Sequence, residues 1–162
     1  MSPEEIKAKY RELVESIREC MLVTDDPQIG PRARPMYLSE IDAEGHLWFF
    51  ANLKSDKIDE IYHEATVCCA FAKPSDKSYV SATGPARVIT DRARKEQLYG
   101  KMNDAWFDGP EDPNAALICV AVEHAEVWDD NDSSVVTMAK IMASAVTGTN
   151  YQDTTNEKLN LR

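Results

Sequence analysis

Residues 20–51, CMLVTDDPQIGPRARPMYLSEIDAEGHLWFFA, decide the fold of this chain. Three segments of the stretch, CMLVT, RPMYLSEI and HLWFFA, are rich in β-branched, aromatic and large apolar residues, as β-strands are. The segments between them, DDPQIG and DAEG, consist of turn-forming residues. The stretch therefore predicts three strands joined by hairpin turns, each antiparallel to the next.

The sequence that follows predicts further strands and helices. TVCCAFA (66–72), YVSATGPARVIT (79–90) and ALICVAVEHAEVW (116–128) have the composition of strands. Gly84-Pro85 in the second of them indicates a bulge or an edge position, because proline cannot donate to a ladder. Helices are predicted over residues 55–64, 91–102 and 135–148, and the polar end of the chain, within 149–162, is expected to be loosely held.

The sequence that precedes the stretch predicts a helix. Ser2-Pro3-Glu4-Glu5 fits a capping box with proline at the first helical position. Apolar residues then recur at helical spacing through about residue 18: Ile6, Tyr10, Leu13 and Ile17.

The chain is expected to form one domain over residues 1–162, with its core over about 3–148. Its 162 residues are 43% hydrophobic and 28% charged, within the range of a single globular domain. A small open sheet of six strands would leave its edges exposed, and closure into a barrel removes them. The predicted fold is therefore mainly β (α+β), a six-stranded antiparallel barrel with flanking helices.

The charge of the chain limits its partners. A net charge of −10 gives a negative surface, which disfavours nucleic acid and anionic lipid, so an anionic ligand must be held by a few placed cations and backbone donors. No run of 18 apolar residues occurs, and the charged N-terminal segment has no signal-peptide core, so we expect a cytoplasmic protein without a membrane partner.

Cysteine and histidine side chains do not suggest a metal site or a catalytic triad. The four cysteines lie in strand-like segments without metal-ligand spacing and are interpreted as buried free thiols; a redox or metal-sensing role of the adjacent pair is the alternative. The three histidines are interpreted as surface or structural residues. These residues are Cys20, Cys68, Cys69, Cys119, His46, His63 and His124.

Several motifs, taken in order, resemble one known family. They are Ala33-Arg34-Pro35-Met36, the segment from Leu47 through Asn52 into Ser55-Asp56-Lys57, Tyr79 to Gly84, Trp106-Phe107 with the loop after it, and Ala125 to Trp128. In order and spacing they resemble the pyridoxamine-phosphate-oxidase-like flavin-binding split β-barrels, most closely the short general-stress-protein branch. The resemblance implies a homodimer with flavin mononucleotide (FMN) at the subunit interface.

The resemblance also implies which residues hold the FMN phosphate: Arg34, Ser55 and Lys57. The chemistry of these residues agrees, since a phosphate suits a lysine, a forked guanidinium and the free N–H groups of a helix that begins at Ser55. Without the resemblance, Ser55 would be interpreted as a helix cap and Lys57 as a solvated side chain.

Further residues would, by resemblance, contact the ring and the ribityl chain. The backbone around Pro35, Met36, Phe50, Ala51 and Asn52 would line them, and Trp106 would cover the site from its own or the partner subunit. A loop tryptophan is otherwise a core or interface residue. Tyr79 is also assigned to the site, although it stands where the true oxidases usually have glutamine.

Departures from the family pattern narrow the function. Asp56 replaces an arginine and Ala51 a threonine of the larger members. The chain also lacks their C-terminal segment that binds substrate phosphate, and for this reason oxidation of pyridoxamine phosphate itself is not expected. The sequence favours an FMN-dependent oxidoreductase in a stress or redox role that exchanges electrons with a small molecule. A flavin-storage or redox-sensing module without turnover is the alternative, and FAD or a deazaflavin could replace FMN.

Overall fold

The structure, a computed structural model, describes residues 2–129 and 155–161. Its helices are α1 (Pro3–Ile17), α2 (Asp56–His63) and α3 (Arg92–Leu98), and two 3₁₀-helices cover Pro74–Asp76 and Lys101–Ala105. Its strands are β1 (Glu19–Asp26), β2 (Gly30–Ile41), β3 (Leu47–Asn52), β4 (Thr66–Lys73), β5 (Ser78–Ile89), β6 (Ala115–Val120), β7 (His124–Asp129) and β8 (Thr155–Asn160). The predicted helix over 135–148 lies outside the described residues.

Six of the strands close into an antiparallel barrel. They follow the order β4-β1-β2-β3-β6-β5, and β5 pairs again with β4 to complete the ring. The three predicted hairpin strands are confirmed, and β7 and β8 extend the sheet beyond the barrel. Closure gives the barrel strands partners along both edges, which is the physical reason that we predicted a barrel.

The predicted strand over 116–128 is two strands along the same edge of β5. The register shifts by one residue between the Ala86–Val120 and Thr83–His124 pairs. Gly84 lies at this shift, and a Cβ there would overlap the carbonyl oxygen of Ala121. The interruption therefore depends on a close backbone approach that requires glycine.

The end of the chain was predicted to be loose, and for residues 155–160 this prediction is wrong. These residues form β8, which pairs antiparallel with β7. Leu159 is buried, and the Leu161 N–H donates to the Glu123 carbonyl oxygen at 2.7 Å. The segment is mostly polar, but the spacing of Leu159 and Leu161 places both on one face of a strand, and both pack on the core.

The first helix is confirmed, and it packs across β4, β5, β7 and β8. Ser2 and Glu5 form the predicted capping box. The buried Tyr10 hydroxyl donates to the Gly45 carbonyl oxygen at 3.0 Å, which ties the helix to the β2–β3 turn. Among the described residues, no helix is long and apolar enough to cross a membrane.

The third helix ends at Leu98, four residues before the predicted end. Tyr99 takes an extended conformation, and the chain then forms the 3₁₀-helix Lys101–Ala105. Tyr99 and Phe107 pack on Phe50 of β3, with ring centroids 5.5 and 6.1 Å apart respectively. This segment therefore stands against β3 as a wall instead of continuing the helix.

Candidate functional site: a cleft where two strands part

The ladder between β2 and β3 is short. β2 pairs with β1 from Gly30 to Tyr37 but with β3 only from Leu38 to Ile41. Beyond Leu38 the two strands part, although β3 continues to Asn52 and pairs with β6 along its other edge. The facing edges of β2 and β3 therefore carry backbone groups that no strand satisfies, and such groups need water or a ligand.

A cleft of about 570 Å³ opens at this fork. Residues of β2 and β3 form its floor, and the segment from Leu98 to Phe107 forms one wall. The structure brings together here most of the predicted site residues: Pro35, Met36, Phe50, Ala51, Asn52, Lys57 and Trp106. The lining residues that the sequence did not indicate are Arg18, Tyr37, Leu38, Ser39, Leu98, Gly100, Met102, Asn103 and Phe107.

Trp106 lies on the rim of the cleft and is 70% exposed. Its backbone N–H donates to the Asn103 carbonyl oxygen at 3.0 Å, so the 3₁₀-helix fixes its position. Met102, also exposed, lies on the same wall. These two large side chains are free to contact a ligand or a second chain.

Lys57 is the cation at the α2 end of the cleft. It is half-buried, and among the described residues no hydrogen bond or ion pair reaches its ammonium group. Burial lowers the pKa of Lys57, and the positive charge of Arg34 lowers it further. A bound anion would offset both effects, so the site is suited to negative charge.

Ser55 begins α2 but does not cap it. Its hydroxyl donates to the Asn52 carbonyl oxygen at 2.7 Å and accepts no helix N–H. The carboxylate of Asp56 is 80% exposed and lies 3.8 Å from Arg32, away from the cleft. The first N–H groups of α2 therefore have no side-chain cap, and Ser55 itself does not line the cleft.

Arg34 lies behind Lys57 and does not line the cleft. Its Nη2 donates to Glu60 Oε2 at 2.6 Å, and its Nη1 donates to the Leu22 carbonyl oxygen at 3.3 Å and to Thr24 Oγ1. The guanidinium thus adds positive charge near Lys57 while its own charge is matched by a carboxylate.

Glu60, a buried carboxylate that pairs with Arg34, is a further residue that the sequence analysis missed. It is 4% exposed, and it also accepts a hydrogen bond from Arg32 at 2.9 Å. Burial opposes its ionisation, but the hydrogen bonds from Thr24 and Arg34 hold the pKa of Glu60 below its ordinary value. One signal was available, because Glu60 is three residues after Lys57 and next to Ile61, on the inward face of α2.

Tyr79 is not brought to the cleft. It lies on the outside of β5, 40% exposed, next to Ala72 of β4 and Trp128 of β7. Exposed or small side chains of neighbouring strands continue this surface, which we call the outer apolar face: Met21, Pro35, Tyr37, Ala70 and Tyr79. Pro35 and Tyr37 also line the cleft, so the face and the cleft are continuous.

The cysteines are free thiols, as predicted; Cys20, Cys69 and Cys119 are buried, whereas Cys68 is only half-buried, which corrects the prediction for that residue. A hydrogen bond with Cys20 and burial raise the pKa of the Cys69 thiol, which makes it a poor nucleophile. Within residues 2–129 and 155–161, no group of three or more potential metal ligands occurs.

Comparison with known proteins gives the family. The model of the family described as pyridoxamine 5'-phosphate oxidase like matches residues 5–152. The chain belongs to the pyridoxamine 5'-phosphate oxidase-like family. The resemblance inferred from the sequence motifs is therefore confirmed.

Three known proteins are similar to this chain, and two of them are solved structures that agree with it in fold. The chain is 30% identical to the general stress FMN/FAD binding protein of Xanthomonas citri, with a TM-score of 0.70 over 80% of this chain and 92% of that one. It is 23% identical to General Stress Protein 26 of Bacillus anthracis, with a TM-score of 0.69 over 76% of this chain and 93% of that one. Protein bli-3 of Neurospora crassa is 27% identical over 139 residues, 79% of this chain and 66% of that protein.

The contribution of the cluster around Glu60 to the free energy of unfolding can be tested by substitution. Glu60→Gln removes the carboxylate that pairs with Arg34 and leaves Arg32 with Asp26 and Asp56, so we expect a loss of about 3 kcal/mol of unfolding free energy at neutral pH. The pKa of Glu60 is lowered on folding, so its contribution is present above its ordinary pKa of 4.5 and is lost as the pH falls through the lowered value.

Urea denaturation at neutral and at falling pH measures this difference, which should shrink in acid. Asp59→Asn, an exposed change on the same helix, is the matched control and should be nearly neutral. Equal stability of Glu60→Gln and the wild type at neutral pH would contradict the buried cluster.

Proposed function

We propose that this chain binds FMN in the cleft and uses the bound flavin as an oxidoreductase in a stress or redox role. The observation that carries the proposal is Lys57, a half-buried cation without a partner among the described residues, at the start of α2. The Xanthomonas citri relative, described as FMN/FAD-binding, supports the choice of a flavin. The cleft volume of about 570 Å³ lies within the range of ligand pockets, roughly 300–1,000 Å³.

The phosphate end of the ligand would lie at α2. Lys57 would supply a charge-assisted hydrogen bond, and the N–H groups of Asp56 and Lys57 would supply donors where the helix dipole favours negative charge. Arg34 would act through its charge, because Glu60 and Thr24 occupy much of its hydrogen-bonding capacity. One such end suits the single phosphate of FMN.

The ring would lie over the fork between β2 and β3. The unpaired backbone edges of Pro35–Tyr37 and Phe50–Asn52 can hydrogen-bond the polar rim of a flavin. Phe107 and Leu98 form an apolar wall, and Trp106 could cover the ring. These residues supply affinity and orientation and exclude water.

The bound flavin itself supplies the redox chemistry, because hydride and electron transfer occur at its ring. No side chain of the cleft has to act as a nucleophile or a metal ligand. This division of labour fits a cleft whose described lining residues include neither cysteine nor histidine.

We also propose that the protein is a homodimer through the outer apolar face. The exposed side chains of Met21, Tyr37 and Tyr79 form a surface that a second copy would cover. Because this face continues into the cleft at Pro35, the second copy would also cover the open side of the ligand site. Tyr79, which is remote from its own cleft, would then approach the cleft of its partner.

Turnover distinguishes an oxidoreductase from a storage module. We expect NADH or NADPH to reduce the FMN-loaded protein in anaerobic stopped-flow experiments, and dioxygen or a quinone to reoxidise it, because hydride and electron transfer occur at the flavin ring. Bleaching of the flavin absorbance measures reduction. A protein that holds FMN but is neither reduced nor reoxidised would be a binding or sensing module.

Sedimentation equilibrium tests the dimer. We expect a dimer at micromolar concentration and a shift toward monomer in Tyr79→Asp, which places a charge on the outer apolar face. Tyr62→Asp, an exposed tyrosine on α2 outside this face, is the matched control. A wild-type monomer that binds FMN tightly would contradict the proposed interface.

The phosphate assignment predicts a selective loss in Lys57→Met, which keeps the length of the stem and removes the charge. We expect FMN affinity to fall about 10- to 100-fold at low salt, since a charge-assisted contact contributes roughly 1.5–3 kcal/mol. Fluorescence titration measures it.

Riboflavin, which lacks the phosphate, is the control ligand for this variant. It should bind the wild type more weakly than FMN does, and the substitution should barely change its affinity. Equal weakening of both ligands would mean that Lys57 supports the local fold and does not contact the phosphate.

A further inference from the structure

Two of the residues that line the cleft are charged, and both are cations. They are Arg18 and Lys57, and no carboxylate is among the described lining residues. The whole chain carries a net charge of −10, so the cleft is an electropositive exception on an acidic protein. A phosphate on Lys57 accounts for one of these two cations.

Arg18 and Lys57 stand at opposite ends of the cleft floor. The Arg18 carbonyl oxygen accepts the Leu38 N–H at 2.8 Å, at the closed end of the fork. Leu38 pairs with Phe49, whereas β3 continues three residues farther to Asn52, and α2 begins at Asp56 beyond it. At about 3.3 Å per residue, the two ends of the floor are on the order of 10 Å apart along β3, which leaves room for two separate anionic groups.

The backbone fixes where the Arg18 side chain begins. Arg18 ends α1 in the left-handed region, with φ 61°, where glycine is the usual residue. Glycine would make the same turn with less strain but would bring no side chain to the cleft. A long cationic side chain therefore stands at a position where the backbone conformation alone would favour glycine.

The guanidinium of Arg18 is also available. Among the described residues no hydrogen bond or ion pair engages its side chain, and the nearby Glu15 pairs with Arg11 at 3.5 Å. A guanidinium presents parallel N–H donors that match the two oxygens of a carboxylate. Its form and position suit an acidic group at the end of the cleft away from the phosphate.

We infer that Arg18 recognises the carboxylate of a small molecule that binds against the flavin, and so selects acidic electron donors or acceptors. The inference rests on the proposed function, because it assumes FMN with its phosphate at Lys57. It assigns Arg18 to binding and selectivity, and the redox chemistry stays at the flavin.

A pair of unreactive probes tests the inference on the FMN-loaded protein. Benzoate and benzamide have nearly the same shape and differ in charge, and the visible difference spectrum of the flavin reports their binding. We expect the wild type to bind benzoate about tenfold more tightly than benzamide at low salt, as for one charge-assisted contact. Arg18→Gln should abolish this preference, Arg18→Lys should restore part of it, and the affinity for benzamide should not change.

Lys101→Gln is the matched control, because Lys101 is an exposed cation on the same wall but does not line the cleft. It should keep the preference for benzoate. The inference is overturned if the wild type does not prefer benzoate, if Arg18→Gln keeps the preference, or if Lys101→Gln loses it equally. The last result would mean that the preference comes from the overall positive electrostatic potential and not from Arg18.

The FMN content of each sample separates this inference from the proposed function. Samples that retain a flavin spectrum but show no charge preference overturn the role of Arg18 alone. Wild-type protein that takes up no FMN overturns the proposed function, and the role of Arg18 with it.

Discussion

The parting of β2 and β3 at Leu38 is the constraint on which the candidate site depends. Each backbone N–H and C=O group in a strand needs a partner, and the barrel provides partners nearly everywhere else by closing on itself. At the fork, β2 stays paired with β1 and β3 with β6, so their facing edges remain open. The pairing of each strand along its other edge thus fixes the position of this opening.

The distribution of charge around the fork explains how an acidic protein could hold an anion. The chain places Arg32, Arg34 and Lys57 near the start of α2; Glu60 pairs with the first two, and no described residue forms an ion pair with the third. Burial of Glu60 fixes the arginines in place, because a carboxylate removed from water keeps strong hydrogen bonds. At this end of the cleft Lys57 is then the cation that faces the ligand, which favours one anionic group there over nonspecific binding of polyanions.

Local sequence patterns predicted the elements that depend on neighbours in the chain. The hairpin strands, the capping box at Ser2 and the helix that begins after Ser55 all follow from residues within a few positions of one another. Family resemblance, rather than periodicity, indicated Lys57 and the lining residues of β2 and β3.

The features that the sequence did not reveal depend on contacts between distant segments. The interruption between β6 and β7 arises where Gly84 meets Ala121, and β8 forms because Leu159 finds the core beside β7. Arg18 lies at the cleft because the end of α1 meets β2, where the Arg18 carbonyl oxygen accepts the Leu38 N–H. No local sequence pattern predicts such contacts between distant segments. Glu60 differs, because an acidic residue on the inward face of α2 can be recognised from the sequence.

The central claim is that the cleft at this fork is a flavin site, and the most direct measurement is the visible spectrum of the protein after incubation with FMN and gel filtration. We expect the protein peak to carry the absorbance of oxidised flavin in about one equivalent per chain, as one cleft per chain requires. A colourless protein peak, with all the flavin in the small-molecule fraction, would contradict the account.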